Sequence, residues 1–251
     1  MGDPHGEGAI RLVRAFRPGA DGPGDPDTWA AAVPAAAQLL REGLALPPGI
    51  TVLVGENGSG KSTVIEMKAE AYGLNPQGGS ILAPALRLRE SEPRSGHRLT
   101  VEREPGRHAW AYFLRADTIQ SLYAYLEENP SRTRPPERLR DLSHGEGFLQ
   151  ILRTRVNQPG FYLMDEPDAP LSFVASLGLV ALLHDLAREH SQAVVATHSP
   201  IVAALPGANI LELGDWGIRP ARWADLDLVK EWRDFLNDPQ MYLRYLLDDT
   251  L

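Results

Sequence analysis

The strongest chemical signal in this chain of 251 residues is a glycine-rich segment at positions 55–63. Its residues are Gly55, Glu56, Asn57, Gly58, Ser59, Gly60, Lys61, Ser62 and Thr63. The segment follows an apolar run at 50–54, so it is predicted to join a buried strand to a helix. Glycines let successive backbone N–H groups point at an anion, and the helix N-terminus adds partial positive charge. We therefore expect a nucleoside triphosphate here, with Lys61 at its β- and γ-phosphates and the Ser62 hydroxyl on Mg²⁺.

Two acidic residues, Asp165 and Glu166, end a second apolar run at 161–164. Ligands of open parallel sheets bind at the carboxyl ends of strands, so both acids are expected beside the phosphates. Asp165 is suited to hold Mg²⁺ directly or through water, and Glu166 to act as the general base that polarises the attacking water. The alternative explanation is a helix start at which acidic residues favour the helix dipole.

Two further segments are candidates for the same edge of the sheet. The apolar run 193–196 delivers His198, which could contact the γ-phosphate or hold the attacking water in line. A histidine at a strand end is usually a surface residue, so this role depends on its neighbours. Ser143 and Gly145 precede a predicted helix and can form another nest of N–H donors for an anion. Ser143 and Glu146 also fit a capping box, and the two interpretations are compatible.

Strands alternate with helices along the chain, which predicts an α/β fold with a mainly parallel sheet covered on both faces. The predicted strands lie at 10–16, 50–54, 110–114, 161–164, 193–196 and 209–213, and the helices within 28–42, 61–72, 117–128, 143–156, 171–189 and 226–248. We expect one domain over 1–251, with an irregular or helical insertion at about 75–150 and C-terminal helices at 220–251. Pro34 is expected to interrupt the first helix. An apolar stripe in the tail, formed by Leu228, Trp232, Phe235, Tyr242, Tyr245 and Leu246, is interpreted as core packing.

Composition limits the class of protein. The chain has no cysteine, which excludes disulfides and thiol catalysis, and no apolar run near the ~20 residues of a membrane span. The N-terminus has no signal-peptide pattern, so a cytoplasmic protein without direct membrane insertion is expected. The net charge of −8 argues against a uniformly basic nucleic-acid surface but leaves a local patch open, and the densest basic stretch, 132–140, is interpreted as a solvated face. Arginine outnumbers lysine by 22 to three, which is typical of a GC-rich bacterial genome.

Taken in order, these four segments and their spacings resemble the ATP-binding-cassette (ABC) ATPases, which are P-loop NTPases. The resemblance is closest to bacterial stand-alone cassette ATPases of the type named AAA family ATPases, relatives of chromosome-maintenance and repair ATPases. Those proteins share the segment at 55–63, a Phe-Leu-Arg-Ala-acid segment (here 113–117) and Ser-His-Gly-Glu (here 143–146).

The resemblance implies a P-loop ATPase of ABC type with a small helical subdomain that carries the signature motif. It maps the signature onto Ser143 and Gly145, the Walker B acids onto Asp165 and Glu166, and the switch histidine onto His198. It also implies ATP and Mg²⁺ as cofactors, and a nucleotide-gated homodimer in which each signature closes the partner copy's site.

The chain departs from the family pattern at several positions. His144 and Glu146 replace the usual Gly and Gln of transporter signatures. Ser172 stands where transporters usually carry the aspartate of the loop after the Walker B acids. No glutamine loop is clear, with Gln77 and Gln120 as weak candidates. No aromatic residue is well placed to stack on adenine, although Trp29 lies 26 residues before Gly55, so the identity of the base, ATP over GTP, comes from the resemblance alone. Two alternatives to a stand-alone ATPase with an unidentified protein partner stay open: the ATPase subunit of a membrane transporter, and an ATP-switched regulator at DNA or in defence with little turnover.

Overall fold

The computed structural model of the protein describes residues 12–20, 29–81, 96–105, 110–116 and 144–247. The strands in these ranges are β1 (Val13–Pro18), β2 (Leu44–Ala45), β3 (Ile50–Val54), β4 (Gly79–Ser80), β5 (Leu99–Arg103), β6 (Trp110–Arg115), β7 (Gly160–Asp165), β8 (Gln192–Thr197), β9 (Asn209–Gly214) and β10 (Gly217–Pro220). The α-helices are α1 (Pro34–Glu42), α2 (Lys61–Tyr72), α3 (His144–Arg155), α4 (Phe173–Arg188), α5 (Pro200–Ala203), α6 (Asp227–Asn237) and α7 (Pro239–Leu247). Short 3₁₀ turns lie at Trp29–Ala32, Gly96–Arg98 and Trp223–Asp225.

A seven-stranded sheet in the order β10-β9-β3-β8-β7-β6-β4 forms the centre of the molecule. The strands from β9 to β6 run parallel, and only the edge strands β10 and β4 are antiparallel to their neighbours. Strands β3, β7 and β8 are buried along their whole length, as continuous apolar strands covered on both faces should be. The predicted α/β fold with a mainly parallel sheet is confirmed.

Alternate residues of the central strands pack into two separate cores. One core, which includes Phe16, Phe113 and Phe161, joins the sheet to α1, α2 and a small antiparallel sheet of order β2-β1-β5. The other core, which includes Leu152 and Leu179, joins the opposite face to α3, α4, α5 and α6. The sheet is therefore a rigid platform whose carboxyl edge can hold polar residues in fixed positions.

The segment 75–150 differs from the expected insertion. The described part of 79–115 contains strands besides one 3₁₀ turn: β5 pairs with β1 in the small sheet, and β6, at the predicted strand 110–114, enters the main sheet beside β7. The run at 110–114 is apolar enough to be buried between two layers, which a peripheral insertion would not need. The predicted helix at 117–128 and the basic stretch 132–140 lie outside the described residues.

Pro34 does separate two helical segments: the 3₁₀ turn Trp29–Ala32 ends before it, and it is the first residue of α1, where the missing N–H has no helical acceptor to lose. The expectation for the tail needs correction. The tail stripe is not core at Trp232, which is 50% exposed, or at Phe235, which is 36% exposed, whereas Leu228 packs partly buried against the second core. Helical periodicity identifies an apolar face but not what covers it, and only Val229 of α6 is buried against the second core.

Lys68 in α2 is an ionisable residue buried beside the otherwise apolar first core. Its side chain is fully buried, and its Nζ has no hydrogen-bond partner within the described structure. The centroid of the Phe16 ring lies 5.7 Å from Nζ. Burial lowers the pKa of Lys68 to about 7, because a charge removed from water is disfavoured.

We expect the substitution Lys68→Met to stabilise the protein in a pH-dependent way. In the unfolded chain the pKa of a lysine is ~10.4, so wild-type unfolding takes up a proton between about pH 7 and pH 10. The free energy of unfolding of the wild type therefore rises with pH through this window. The free energy of unfolding of the variant should exceed that of the wild type by about 2 kcal/mol more at pH 7 than at pH 9. Urea unfolding of both proteins at both pH values measures this difference.

The matched control for this experiment is Lys230→Met, which replaces an exposed lysine of α6. Its effect on the free energy of unfolding should be small and should not change between pH 7 and pH 9. If Lys68→Met raises the free energy of unfolding by the same amount at both pH values, the conclusion that the pKa of Lys68 is lowered by burial would be wrong.

Candidate functional site

The loop between β3 and α2 has the geometry that an anion site needs. Gly58 and Gly60 adopt φ angles of +83° and +93°, which favour glycine. A Cβ at Gly60 would also lie 2.4 Å from the side chain of Val33. Helix α2 begins immediately afterwards, at Lys61, and its first backbone N–H groups have no acceptor within the helix. These N–H groups can therefore bind a phosphate.

Lys61 spans this loop with its side chain almost wholly buried. Its Nζ donates to the carbonyl oxygens of Gly55 at 2.8 Å and Glu56 at 2.9 Å. Burial lowers the pKa of Lys61, and the nearby carboxylates of Glu166, Asp165 and Asp168 oppose that shift. A buried cation is stabilised by an anion, so phosphate groups on the loop would compensate for the lost water.

The loop is tied directly to the acidic end of β7. Ser62 Oγ donates to Asp165 Oδ1 at 3.0 Å. Burial raises the pKa of Asp165, while the Ser62 hydrogen bond and the charge of Arg115 act in the opposite direction. The predicted pair of a hydroxyl and a carboxylate is therefore brought together, although 103 positions separate it in the chain.

The Ser62–Asp165 pair fits a magnesium ion. Hydroxyl and carboxylate oxygens are the protein ligands that Mg²⁺ accepts, usually one or two of them together with phosphate oxygens and water. Among the described residues, no group of three or more His, Cys, Asp or Glu residues could hold a metal ion by itself, so phosphate oxygens and water would have to complete the site. Mg²⁺ bound here would neutralise charge on the phosphates.

Glu166 and His198 meet at the ends of neighbouring strands. Glu166 Oε1 lies 3.1 Å from His198 Nε2, but the pair is not aligned as a hydrogen bond, and Nε2 has no such partner among the described residues. Glu166 has a φ of +49°, a strained value for a residue with a side chain, and its N–H donates to Ala196 O at 3.0 Å. Strain of this kind is found at functional sites. Both side chains remain partly exposed, so a water molecule can reach the carboxylate.

Sequence reasoning missed a polar contact that holds this arrangement. Thr197 Oγ1 donates to Asp168 Oδ1 at 2.6 Å and accepts the N–H of Ser199 at 2.9 Å. Burial raises the pKa of Asp168, and the Thr197 hydrogen bond opposes the increase. The contact joins the loop after β7 to the turn after β8, and so fixes Glu166 relative to His198. The sequence feature that could have indicated this contact is Asp168 itself, an aspartate three residues after Asp165.

Arg115 lies next to the acidic pair, at the end of β6 and in register with Asp165. From its position after a strand, Arg115 could either lie near the phosphates or form a surface ion pair. Its Nη1 donates to Glu66 Oε1 at 2.5 Å, so the ion pair forms, but both side chains are partly buried. Burial raises the pKa of Glu66, and the charge of Arg115 opposes that shift. Arg115 thus contributes positive potential at the carboxylate of Asp165.

The predicted signature segment is described only from His144 onwards, because Ser143 lies outside the described residues. Gly145 is buried in α3, and a Cβ there would lie 3.1 Å from the Cβ of Ala175. Ser172 caps α4 and accepts the N–H of Ala175 at 3.3 Å. Helix α3 therefore packs closely against the start of α4, and a role of Ser143 and Gly145 in a second copy's site stays a prediction.

Among the glutamine-loop candidates, Gln77 lies in the turn before β4, where its N–H donates to Asn75 Oδ1 at 2.9 Å. Gln120 lies outside the described residues, as does Asp117. No α-helix in the described part of the chain is long and apolar enough to cross a bilayer.

The sequence of this chain is similar to those of known proteins. The profile of the family "ABC transporter" matches residues 44–169. A "Putative ABC transporter ATP-binding protein" of Streptomyces coelicolor is 32% identical over 218 residues, which cover 76% of this chain but only 37% of that protein. An "Aliphatic sulfonates import ATP-binding protein" of Rhodococcus jostii is 32% identical over 200 residues, which cover 77% of this chain and 70% of that protein.

The solved structure "SMC head domain from Thermotoga maritima" is similar over 86% of this chain and 100% of that chain, with 17% identity and a TM-score of 0.44. That score is too low to carry an argument. The expected closest resemblance to stand-alone, chromosome-maintenance-like ATPases is not supported, since the curated relatives are named as transporter ATP-binding proteins.

Proposed function

The chain belongs to the ABC transporter family, whose ATP-binding domains are ATPases, and on that premise we propose that it hydrolyses ATP as a nucleotide-gated dimer. The observation that carries the proposal is the hydrogen bond from Ser62 Oγ to Asp165 Oδ1 at 3.0 Å. It joins a loop able to bind phosphates to a strand end able to hold Mg²⁺, which is the pairing that nucleotide hydrolysis requires.

Each residue of the site has a role in this proposal. Backbone N–H groups of residues 55–63 and the ammonium of Lys61 bind the phosphates of ATP, and Ser62 and Asp165 hold Mg²⁺. Glu166 accepts a proton from the water that attacks the γ-phosphorus, and the products are ADP and phosphate. We assign His198, whose Nε2 lies 3.1 Å from Glu166 Oε1, to that water or to the γ-phosphate.

The second copy of the chain completes the site in this proposal. ABC ATPase domains work as dimers, and a two-fold interface must be self-complementary. We place Ser143 and Gly145 of one copy against the nucleotide of the other. Contacts to the γ-phosphate then favour the closed dimer, and hydrolysis removes them.

We expect Glu166→Gln to form a dimer when ATP and Mg²⁺ are present and to be a monomer when they are absent. The amide cannot act as a base, so ATP persists and the closed state accumulates. Sizing by light scattering under both conditions measures this. Glu189→Gln, the same substitution at an exposed position after α4, is the control and should not trap the dimer. A monomer under both conditions would count against the proposed gating.

The relatives favour a membrane transporter as the partner. One is named for import of aliphatic sulfonates, and ABC ATPase domains typically pair with membrane-domain partners. We propose that the dimer of this chain binds a transporter's membrane domain, with no cargo assigned. The identity of the protein that copurifies in detergent with Glu166→Gln tests this. An integral membrane protein bound in an ATP-dependent way is expected, and recovery of the homodimer alone would contradict the proposal.

A stand-alone ATPase is the second candidate. The replacement of Gly and Gln by His144 and Glu146 in the signature segment favours it over a transporter subunit. The version that acts on DNA is disfavoured by the net charge of −8. Salt-dependent binding to DNA in the presence of ATP would support that version, and no binding at low salt would remove it.

A further inference from the structure

Two contacts join the first turns of α2 to the ends of two neighbouring strands. Ser62 Oγ donates to Asp165 Oδ1 at 3.0 Å. One helical turn further on, Glu66 Oε1 accepts a hydrogen bond of 2.5 Å from Arg115 Nη1. Ser62 and Glu66 are four positions apart, so they share one face of the helix. Asp165 and Arg115 are register partners in β7 and β6, two parallel strands about 4.8 Å apart. These four residues therefore form a closed frame in which the helix is held at two points.

The ion pair of this frame is shielded from water. The side chains of Arg115 and Glu66 are only 20% and 35% exposed. Arg115 Nη1 also donates to Pro76 O at 3.2 Å, which ties the turn before β4 to the same group. Removing either partner would leave the other charge partly buried without compensation, which is costly for a protein. The pair therefore fixes the distance between α2 and the end of β6.

The charge of Arg115 acts on two carboxylates that repel each other. Burial raises the pKa of Glu66, the charge of Arg115 opposes that shift, and the charge of Asp165 adds to it. Burial also raises the pKa of Asp165, and the Ser62 hydrogen bond and the charge of Arg115 oppose that shift. The guanidinium therefore offsets the repulsion between the two carboxylates and favours the arrangement in which Asp165 stays beside Ser62.

A magnesium ion is sensitive to such an arrangement. Mg²⁺ requires nearly ideal octahedral geometry, so displacement of the Ser62 or Asp165 oxygen would lower its affinity. Residues that hold metal ligands in place, without touching the metal, change the metal affinity by a factor of about 10–100 when they are replaced. Arg115 and Glu66 have this relation to the two candidate ligands.

We propose that Arg115 and Glu66 are positioning residues for the magnesium ion: their ion pair holds Ser62 and Asp165 at the separation that the ion requires. The proposal rests on the proposed binding of Mg²⁺ and nucleotide at this site. It gives a role to the arginine whose place after β6 left two possibilities open. In this role Arg115 acts through α2 and β7 and not by contact with the phosphates.

The test measures metal binding without hydrolysis. Mn²⁺ replaces Mg²⁺ as a paramagnetic probe, and electron paramagnetic resonance measures free Mn²⁺ while the ion is titrated into the protein with ADP bound. We expect Arg115→Ala and Glu66→Ala each to weaken Mn²⁺ binding by a factor of about 10 or more. The double variant should lose no more than either single variant, because all three remove the same ion pair. Affinity for ADP without metal, measured by calorimetry with EDTA, should be unchanged.

Two further variants separate the positioning role from general damage to the fold. Glu66→Gln keeps an oxygen that can accept the hydrogen bond from Arg115, so it should recover most of the Mn²⁺ affinity lost in Glu66→Ala. Arg17→Ala is the matched control, because Arg17 pairs with Glu102 at 3.0 Å on the small sheet, where both side chains are exposed. It should bind Mn²⁺ as the wild type does.

Three results would overturn the positioning role. They are wild-type Mn²⁺ affinity in Arg115→Ala, losses that add up in the double variant, and a loss of ADP affinity without metal. The last of these would indicate direct contact of Arg115 with the phosphates. Failure of the magnesium site itself has a different signature: Asp165→Ala would then bind Mn²⁺ as the wild type does.

Discussion

Replacing Lys61 by alanine is expected to lower the affinity for ATP by a factor of about 100 or more. The ammonium is almost wholly buried at the start of α2 and lies within a loop that presents backbone N–H groups. Each charge-assisted hydrogen bond to a phosphate contributes about 1.5–3 kcal/mol, so losing two of them gives an effect of this size. Calorimetric titration with ATP and Mg²⁺ measures it.

Lys230→Ala is the control for this substitution. Lys230 is exposed on α6, where its Nζ is 3.0 Å from Asp227 Oδ1, so removing it should leave ATP affinity nearly unchanged. An ATP affinity of Lys61→Ala equal to that of the wild type would show that residues 55–63 do not bind the phosphates.

The second large effect is expected at Glu166. Glu166→Gln should lower the rate of ATP hydrolysis by a factor of about 10²–10⁴, the usual contribution of a general base. The affinity for ATP should change little, because the amide has nearly the same shape as the carboxylate. The two effects should separate because the proposed role of Glu166 is to act on the water and not on the phosphates.

Rates of phosphate release and equilibrium binding, measured on the same preparations, test this separation. Glu189→Gln should hydrolyse ATP at the wild-type rate, since Glu189 is exposed at the end of α4. A Glu166→Gln variant that hydrolyses ATP normally would remove Glu166 from the mechanism.

The arrangement of the candidate site could be predicted because its residues are specified locally. The loop at 55–63 needs glycines where φ is positive and a lysine at the helix start, and Asp165 follows a strand buried along its whole length. Parallel strands place their carboxyl ends at one edge, so proximity followed from the predicted sheet. Ser62 and Asp165 meet for this reason.

Contacts that depend on tertiary packing could not be predicted from the sequence. The Thr197–Asp168 and Arg115–Glu66 pairs join residues 29 and 49 positions apart, and no local pattern identifies such partners. The apolar stripe of the tail shows the same limitation, since its period gives an amphipathic helix but not its exposure.

The central claim is that Lys61, Asp165 and Glu166 form one ATP-hydrolysing site. Phosphate release from ATP, with and without Mg²⁺, by the wild type, Lys61→Ala and Glu166→Gln tests it most directly. We predict magnesium-dependent release by the wild type and its loss in both variants, of which only Glu166→Gln still binds ATP. Equal rates of phosphate release by all three proteins would contradict the claim.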